Sequence, residues 1–220
     1  MKLGILGGTF NPIHLAHLAI AREVLRSCRL DRVVFIPAAD PPHKPVANET
    51  PFVHRMAMIN AAIAEEPCFY SSDIEARRRG KSYSVKTLEI LRRADPESER
   101  YFIIGLDSYR DIASWKNYER LFELAHIVVI TRPGISIGDP LQALPVAMRQ
   151  NFCYDRDLKK MRHNSGHSVI FLEETQLDIS STKIRREVAA GRSIRHLVPP
   201  AVADYISKHA LYMKPEQGSH

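Results

Sequence analysis

The 220-residue sequence has few cysteines, and their spacing excludes two classes of small protein. Cys28, Cys68 and Cys153 are far apart and form no Cys-x-x-Cys pair, so neither a disulfide scaffold nor a zinc ribbon is expected. Long apolar segments are also missing, because stretches such as 125–130 are far shorter than a membrane span. The opening MKLGILGGTF reaches glycines before the apolar part of a signal peptide could form. The sequence therefore predicts a cytoplasmic protein without a membrane anchor.

Two common phosphate-binding motifs are absent, since the sequence contains neither GxGxxG nor GxxxxGK[ST]. A formal net charge of +6 nevertheless favours anionic partners. Basic residues cluster at 77–81 and 183–186, which is compatible with nucleic acid or with small phosphorylated substrates. Because zinc-finger spacing and an RNP-type aromatic motif are missing, we expect no nucleic-acid partner. The 77–81 cluster is interpreted as a solvated basic face.

Apolar strand-like runs alternate with segments of helical spacing along the whole chain. Strands are predicted at 2–7, 32–38, 69–74, 101–105, 126–134 and 168–172. Helices are predicted at 14–28, 51–64 (capped by Asn48 or Thr50), 84–94, 114–125, 178–191 and 199–212. The segment 140–152 is predicted to be irregular.

This alternation predicts an α/β fold, a Rossmann-like doubly wound and mostly parallel sheet with helices on both faces. We expect one domain over 1–212, including a C-terminal helical segment at about 182–212, and a flexible tail at 213–220. In such sheets ligands bind beyond the carboxyl ends of the strands. The loops to inspect are therefore those that follow strands, at 7–17, 38–44 and 105–115 and from Arg132 onward.

The first of these loops, GGTFNPIHLAH at 7–17, carries an unusual set of residues. Gly7 and Gly8 allow positive φ and a close approach of ligand to backbone. His14 and His17 are three residues apart, so both imidazoles lie on one face at the start of a helix. Amides and imidazoles together suit phosphate groups, although two surface histidines without a function remain an alternative. A zinc site is disfavoured because metalloprotease helices space their histidines at i, i+4 with Glu between.

Two motifs at opposite ends of the chain then suggest a family. GGTFNPIHLAH resembles the (H/T)xGH motif of the nucleotidyltransferase superfamily related to class I aminoacyl-tRNA synthetases, and ISSTKIR at 179–185 resembles its ISSTxIR motif. The segments PPHK, SYSVKTL, IIGLDS, SWKNYERL, VVITRPG and VPPAVADYISKHALY are similar, in order and spacing, to bacterial nicotinate-nucleotide adenylyltransferases. Two positions depart from the family pattern: Ala16 replaces a glycine, and Lys86 stands where an acidic residue is usual.

The resemblance implies transfer of AMP from ATP to nicotinate mononucleotide, with release of pyrophosphate, in NAD biosynthesis. It implies Mg²⁺ held mainly by the ATP phosphates and leaves the metal's protein ligands open. The implied catalytic residues are His14, His17 and Arg185. The implied ATP-binding residues are Gly7, Gly8, Thr9, Phe10, His14, His17, Lys44, Ile179, Ser181, Thr182 and Arg185. The implied substrate-binding residues are Tyr83, Ser84, Gly105, Asp107, Trp115 and Arg132.

Simpler roles remain open for several of these residues. Ser181 and Thr182 could cap a helix, Asp107 could do the same, and Trp115 could be a core residue. At the level of function, the alternatives are a sister enzyme that uses phosphopantetheine, a variant that prefers nicotinamide, or a non-catalytic nucleotide- or RNA-binding module. A homo-oligomer is compatible with the sequence.

Overall fold

A computed structural model describes residues 1–41, 50–131, 140–142, 144–155, 160–173 and 177–213. Within these residues the chain forms an eight-stranded sheet in the order β3-β2-β1-β4-β5-β8-β7-β6. The strands are β1 (Lys2–Gly8), β2 (Arg32–Pro37), β3 (Phe69–Ser71), β4 (Glu99–Gly105), β5 (His126–Thr131), β6 (Phe152–Asp155), β7 (Lys160–His163) and β8 (Ser168–Glu173). All neighbouring pairs among β1 to β5 and β8 are parallel, which confirms the predicted fold class.

Helices cover both faces of the sheet. They are α1 (Leu15–Ser27), α2 (Phe52–Ile63), α3 (Ser84–Ala94), α4 (Leu106–Arg110), α5 (Tyr118–Leu124), α6 (Val146–Arg149), α7 (Ser181–Ala189) and α8 (Pro200–Lys208). Helices α1, α2, α7 and α8 bury apolar residues in one core cluster, and α3, α4 and α5 bury theirs in a second. Successive strand residues enter opposite clusters, as Phe102 and Ile103 of β4 do, because side chains alternate across a strand.

The strand order reverses between β1 and β4. From β1 the chain continues to β2 and β3 on one side, whereas β4 and β5 lie on the other. The loops after β1 and β4 therefore diverge and leave a crevice at the carboxyl edge of the sheet, where open α/β folds bind ligands.

Antiparallel strands extend the sheet beyond the parallel part, and this extension was not predicted. β6 pairs with β7 between Phe152 and His163, and β7 pairs with β8. The expectation of irregular structure at 140–152 was wrong in part, because this segment contains α6 and the first residue of β6. FCYD and KMRH are short and rich in polar residues, so they lack the apolar run that marks a buried strand.

One local prediction in the N-terminal half, the cap of α2, was also wrong, and the positive φ that Gly7 and Gly8 allow is not used. Helix α2 is preceded by Pro51 as its N-cap residue rather than by Thr50, and Asn48 lies outside the described residues. Gly7 and Gly8 belong to extended β1, and the positive φ in this region is at Phe10, at 49°. No helix among the described residues is long and apolar enough to cross a bilayer.

Candidate active site

The crevice at the switch point is a cavity of about 540 Å³. Nine predicted site residues line it: Gly7, Gly8, Thr9, His17, Tyr83, Ser84, Gly105, Asp107 and Trp115. They come from β1, the loop after it and the first turn of α1, from the start of α3, and from the end of β4 and the segment after it. Residues separated by about a hundred positions in the sequence thus meet at one edge of the sheet, as the topology requires.

The end of β1 presents bare backbone to this cavity. A Cβ added at Gly8 would lie 3.3 Å from the Phe10 ring, and at Gly7 the nearest atom would be 3.8 Å away, on Phe102. Phe10 is itself buried and packs edge-on against His17, with 5.0 Å between ring centroids. Gly8 is therefore explained by its tight approach to the Phe10 ring, whereas at Gly7 a Cβ would make only ordinary van der Waals contact. Neither glycine has a φ angle that requires it.

The two predicted histidines stack at the start of α1, with 3.7 Å between their ring centroids. The backbone N–H of His14 donates to Nδ1 of His17 over 3.2 Å. Because that nitrogen accepts, the proton of a neutral His17 ring is on Nε2. Burial lowers the pKa of His14 to about 4 and that of His17 well below its usual value, with neighbouring His14 contributing further. Both rings are therefore neutral donors at neutral pH.

The late motif reaches the first loop directly. Ser181 Oγ donates to the carbonyl oxygen of Pro12 at 2.9 Å, and Arg185 Nη1 donates to that of Asn11 at 2.8 Å. A second nitrogen of Arg185 lies 3.2 Å from Thr182 Oγ1. The start of α7 thus packs against the loop that precedes His14, so the two motifs form one structure although 169 or more positions separate these partners.

Some predicted residues are not on the wall of the main cavity. Thr182 and Arg185 line a separate, shallow depression. Phe10 and His14 are buried, and both rings pack against His17 of the cavity wall. The cap of α7 is Ser180, whose Oγ accepts from the Lys183 amide at 3.2 Å, so the capping role considered for Ser181 and Thr182 is wrong. Ile179 is half-buried just before this cap and packs against the first core cluster. Lys44 and Arg132 lie outside the described residues.

Aromatic side chains form the other half of the cavity. Trp115 is half-buried and meets Phe102 edge-on, with 6.2 Å between centroids. It therefore packs on the second core cluster and lines the cavity at the same time. The Lys116 ammonium lies 4.6 Å from the centre of the Tyr83 ring. Asp107 is exposed in the first turn of α4, whose N-cap is Gly105, so a capping role for Asp107 is wrong.

Comparison with known proteins gives a consistent result. The cytidylyltransferase-like family model matches residues 5–187. A "probable nicotinate-nucleotide adenylyltransferase" of Syntrophotalea carbinolica is 61% identical over 217 residues, covering 99% of this chain and all of the relative. One from Geobacter metallireducens is 53% identical and covers 96% of this chain and 98% of its own length. The chain belongs to the nicotinate-nucleotide adenylyltransferase family. The predicted family membership is thereby confirmed.

Solved structures agree on the fold of this adenylyltransferase family. A Plasmodium falciparum nicotinic acid mononucleotide adenylyltransferase complexed with NaAD superposes with a TM-score of 0.73 at 21% identity, covering 96% of this chain and 97% of that one. The same enzyme complexed with APC gives a TM-score of 0.71 at 20% identity, covering 96% of both chains.

The two departures from the adenylyltransferase pattern occupy different environments. Ala16 is buried in α1 and contributes one methyl group to its packing face. Lys86 is exposed in the first turn of α3 and is not among the residues that line the cavity. Lys86 therefore does not change the cavity wall.

Two residues at or near this cavity gave no signal in the sequence. Glu75 is buried on the cavity wall and accepts from Thr87 Oγ1 at 2.6 Å. Arg78 Nη2 lies 3.7 Å from the Glu75 carboxylate, and this arginine side chain is only 14% exposed. The interpretation of 77–81 as a solvated face is therefore wrong for Arg78, although Arg77 and Lys81 are exposed. A lone acid beside a basic run is too common a pattern to indicate a buried pair.

Proposed function

We propose that this chain transfers the AMP moiety of ATP to nicotinate mononucleotide, giving nicotinate adenine dinucleotide and pyrophosphate, as a step of NAD biosynthesis. The observation that carries the proposal is the full-length similarity to curated adenylyltransferases in a chain whose two motifs meet beside a nucleotide-sized cavity. A 5′-phosphate oxygen of the mononucleotide attacks the α-phosphorus of ATP, and the bond from that phosphorus to the bridging oxygen of pyrophosphate breaks. No protein nucleophile is needed, so positioning and charge stabilisation dominate.

The phosphates of ATP are assigned to the loop after β1 and to the start of α1. His17 lines the cavity and has its ring proton on Nε2, because its Nδ1 accepts from His14 N–H. A neutral donor fixed in a buried site can stabilise charge that develops on the phosphoryl oxygens. We assign Arg185, Ser181 and Thr182 to the β- and γ-phosphates, and Lys44 to a further phosphate contact.

The mononucleotide is assigned to the aromatic half of the cavity. Trp115 offers a flat ring for stacking on the pyridine. Tyr83 and Ser84 lie at the start of α3, where the first helix amides have no partner within the helix and favour a negative group. The Lys116 ammonium over Tyr83 adds a positive charge at the same place. A carboxylate gains charge-assisted hydrogen bonds there that a neutral amide does not, so we propose that nicotinate is preferred to nicotinamide.

We propose that Mg²⁺ enters with the triphosphate. Across the ranges that the structure describes, no cluster of three or more His, Cys, Asp or Glu could hold a metal ion. Single carboxylates on the cavity wall, Asp107 and Glu75, are compatible with a metal held mainly by substrate phosphates. Bound Mg²⁺ would neutralise charge on the phosphates. We further propose a cytoplasmic location, no nucleic-acid partner and the option of a homo-oligomer; the free Cys28, Cys68 and Cys153 fit a reducing compartment.

One assay tests this function. The protein is incubated with ATP and Mg²⁺ and either nicotinate or nicotinamide mononucleotide, and pyrophosphate release is followed. We expect kcat/KM for the nicotinate form to exceed that for the nicotinamide form by at least about tenfold, the value of one charge-assisted hydrogen bond. Activity only with another phosphorylated acceptor, such as phosphopantetheine, would assign the chain to a sister activity. Absence of turnover with all acceptors would favour a binding module.

A further inference from the structure

The loop from Thr9 to His14 takes its shape from distant parts of the chain. Its carbonyl oxygens accept hydrogen bonds from Arg55, which donates to Thr9 at 2.8 Å, and from Arg185 and Ser181. Those contacts fix the backbone. A separate contact fixes a side chain, because the Tyr212 hydroxyl lies 2.7 Å from Oδ1 of Asn11.

Tyr212 reaches this loop from beyond the end of α8. Between the end of α8 and Tyr212 the backbone turns at Ala210, which has a φ of 49°, and Tyr212 itself has a φ of 65°. Left-handed backbone is unfavourable for residues other than glycine and persists where the surrounding contacts hold it. Tyr212 packs against the first core cluster and lines the shallow depression beside Arg185 and Thr182. Its hydroxyl therefore meets Asn11 through a packed arrangement.

The donor in this contact is the tyrosine. Burial raises the pKa of Tyr212 to about 12, so the phenol keeps its proton and donates to the amide oxygen. Asn11 is only 7% exposed, and a buried acceptor that loses its partner is costly. The same residue accepts from Arg185 through its backbone oxygen. Asn11 thus links a hydrogen bond from the C-terminal segment to the arginine assigned to ATP phosphates.

We propose that Tyr212 is a positioning residue of the nucleotide site. It holds the Asn11 side chain and, through it, the loop that leads to His14 and His17 and accepts a hydrogen bond from Arg185 of α7. The proposal rests on the assignment of this loop to ATP. It makes the segment after α8 a further support of the site, in addition to α2 and α7, which hold the loop through Arg55, Ser181 and Arg185. Because no atom of Tyr212 lines the main cavity, its effect is on how well the loop is placed.

The test compares two conservative variants of the same segment. Tyr212→Phe removes the hydroxyl that binds Asn11. Tyr205→Phe removes a hydroxyl of α8 that lies 3.0 Å from His54 Nδ1 and does not contact the loop. Affinity for a non-hydrolysable ATP analogue is measured by calorimetry on the full chain with Mg²⁺, and KM for both substrates is measured in the pyrophosphate assay. Thermal melting of each variant shows that it is folded.

We expect Tyr212→Phe to weaken binding of the analogue about tenfold and to raise KM for ATP similarly, with KM for the mononucleotide within twofold. Tyr205→Phe should leave the affinity for the analogue, KM for ATP and KM for the mononucleotide within twofold of the unmodified chain. Asn11→Ala should weaken analogue binding to a similar extent, and adding Tyr212→Phe to it should cause no further loss, since residues in one hydrogen bond are not additive. This cycle distinguishes positioning from a general loss of stability.

The proposal is overturned if Tyr212→Phe binds the analogue as tightly as the unmodified chain does, or if it loses no more affinity than Tyr205→Phe. It is also overturned if the losses of affinity caused by Tyr212→Phe and Asn11→Ala add in full in the double variant. Analogue binding does not require turnover. A chain that binds the analogue but converts no mononucleotide would therefore contradict the proposed function and leave the Tyr212 result to be decided by binding alone.

Discussion

Histidines gather at both edges of the sheet, and the two groups differ in how their nitrogens are bonded. The upper pair, His14 and His17, lies at the carboxyl edge beside the cavity. The lower set, His126, His163 and His167, lies at the amino edge, where β5 and β8 begin. His126 and His167 meet edge-on with 5.0 Å between centroids.

The lower histidines are bonded within the protein. His126 Nδ1 accepts from the Ser168 amide at 3.0 Å. The Nδ1 atoms of His163 and His167 lie 2.9 and 3.0 Å from Ser165 Oγ, and that hydroxyl donates to the carbonyl of Phe122. In the upper pair, by contrast, Nδ1 of His14 is buried and has no partner among the described residues.

Perturbed pKa values do not separate the two groups. Burial lowers the pKa of His126 to about 4, as it does for His14, and it also lowers the pKa of His163 and His167. A lowered pKa therefore reports burial in both places. What distinguishes the upper pair is its position, because His17 lines the cavity and stacks on His14, whereas none of the lower set lines it. A perturbed residue in a cavity is the criterion that indicates function.

The largest expected effect separates the two groups by activity. His17→Ala should lower kcat about 10²- to 10³-fold, the loss seen when one preorganised donor is removed from a site of this kind. His126→Ala should leave kcat within about threefold, because it is remote from the cavity. Pyrophosphate release measures both variants, and circular dichroism checks their folding. Near-normal turnover by folded His17→Ala would remove the functional distinction between the two edges.

The second prediction concerns what the groups share, their lowered pKa. In the unfolded chain a histidine titrates near its usual pKa of about 6.5, whereas these histidines stay neutral in the folded chain to a lower pH. Each therefore favours the folded chain most above pH 6.5. This stability is lost as the pH falls from about 6.5 towards 4, because the unfolded chain binds more protons. For His14 and His126, each with a pKa of about 4, the loss by pH 5 should be about 2 kcal/mol per residue.

Urea unfolding at pH 7 and pH 5 measures this loss. His126→Gln keeps a hydrogen-bonding side chain but does not titrate, so its free energy of unfolding should fall about 2 kcal/mol less between the two pH values. If the free energy of unfolding of His126→Gln falls between pH 7 and pH 5 by as much as that of the unmodified chain, His126 is already protonated in the folded chain at pH 5.

The smallest effect is expected at Ser165, which joins two members of the lower set. Ser165→Ala removes the hydroxyl that His163, His167 and Phe122 share, and it should lower the free energy of unfolding by about 1 kcal/mol. Activity should not change. Ser165→Thr keeps the hydroxyl and is the matched control. A tenfold loss of turnover in Ser165→Ala would connect the lower set to the site and contradict the comparison.

The parallel part of the fold could be predicted because its strands are continuous apolar runs and its helices have clear periodicity. RVVFIP of β2 and HIVVIT of β5 are buried on both faces, and such segments are typical of parallel sheets. The β6–β7 hairpin could not be predicted, since residues such as Cys153 and Tyr154 at the sheet edge are exposed. Edge strands carry little hydrophobic signal.

The site could be predicted where residues belong to a local motif and not where they act across the fold. His14 and His17 were identified by a spacing of three residues. Asn11 and Tyr212 are 201 residues apart, and no local pattern links them. The buried pair of Glu75 and Arg78 was missed for the same reason, because burial is decided by tertiary packing rather than by the residues themselves.

The bonds from Ser181 and Arg185 to the loop before His14 also order events during protein synthesis. The donors follow their acceptors by 169 and 174 positions, which a ribosome adding 5–20 residues per second covers in roughly 10 to 30 s. During that interval β1 and β2 can pair while the loop between them still lacks these partners. A nascent chain therefore completes the loop that we assign to the nucleotide only after translation has passed α7, long after the first strands have emerged.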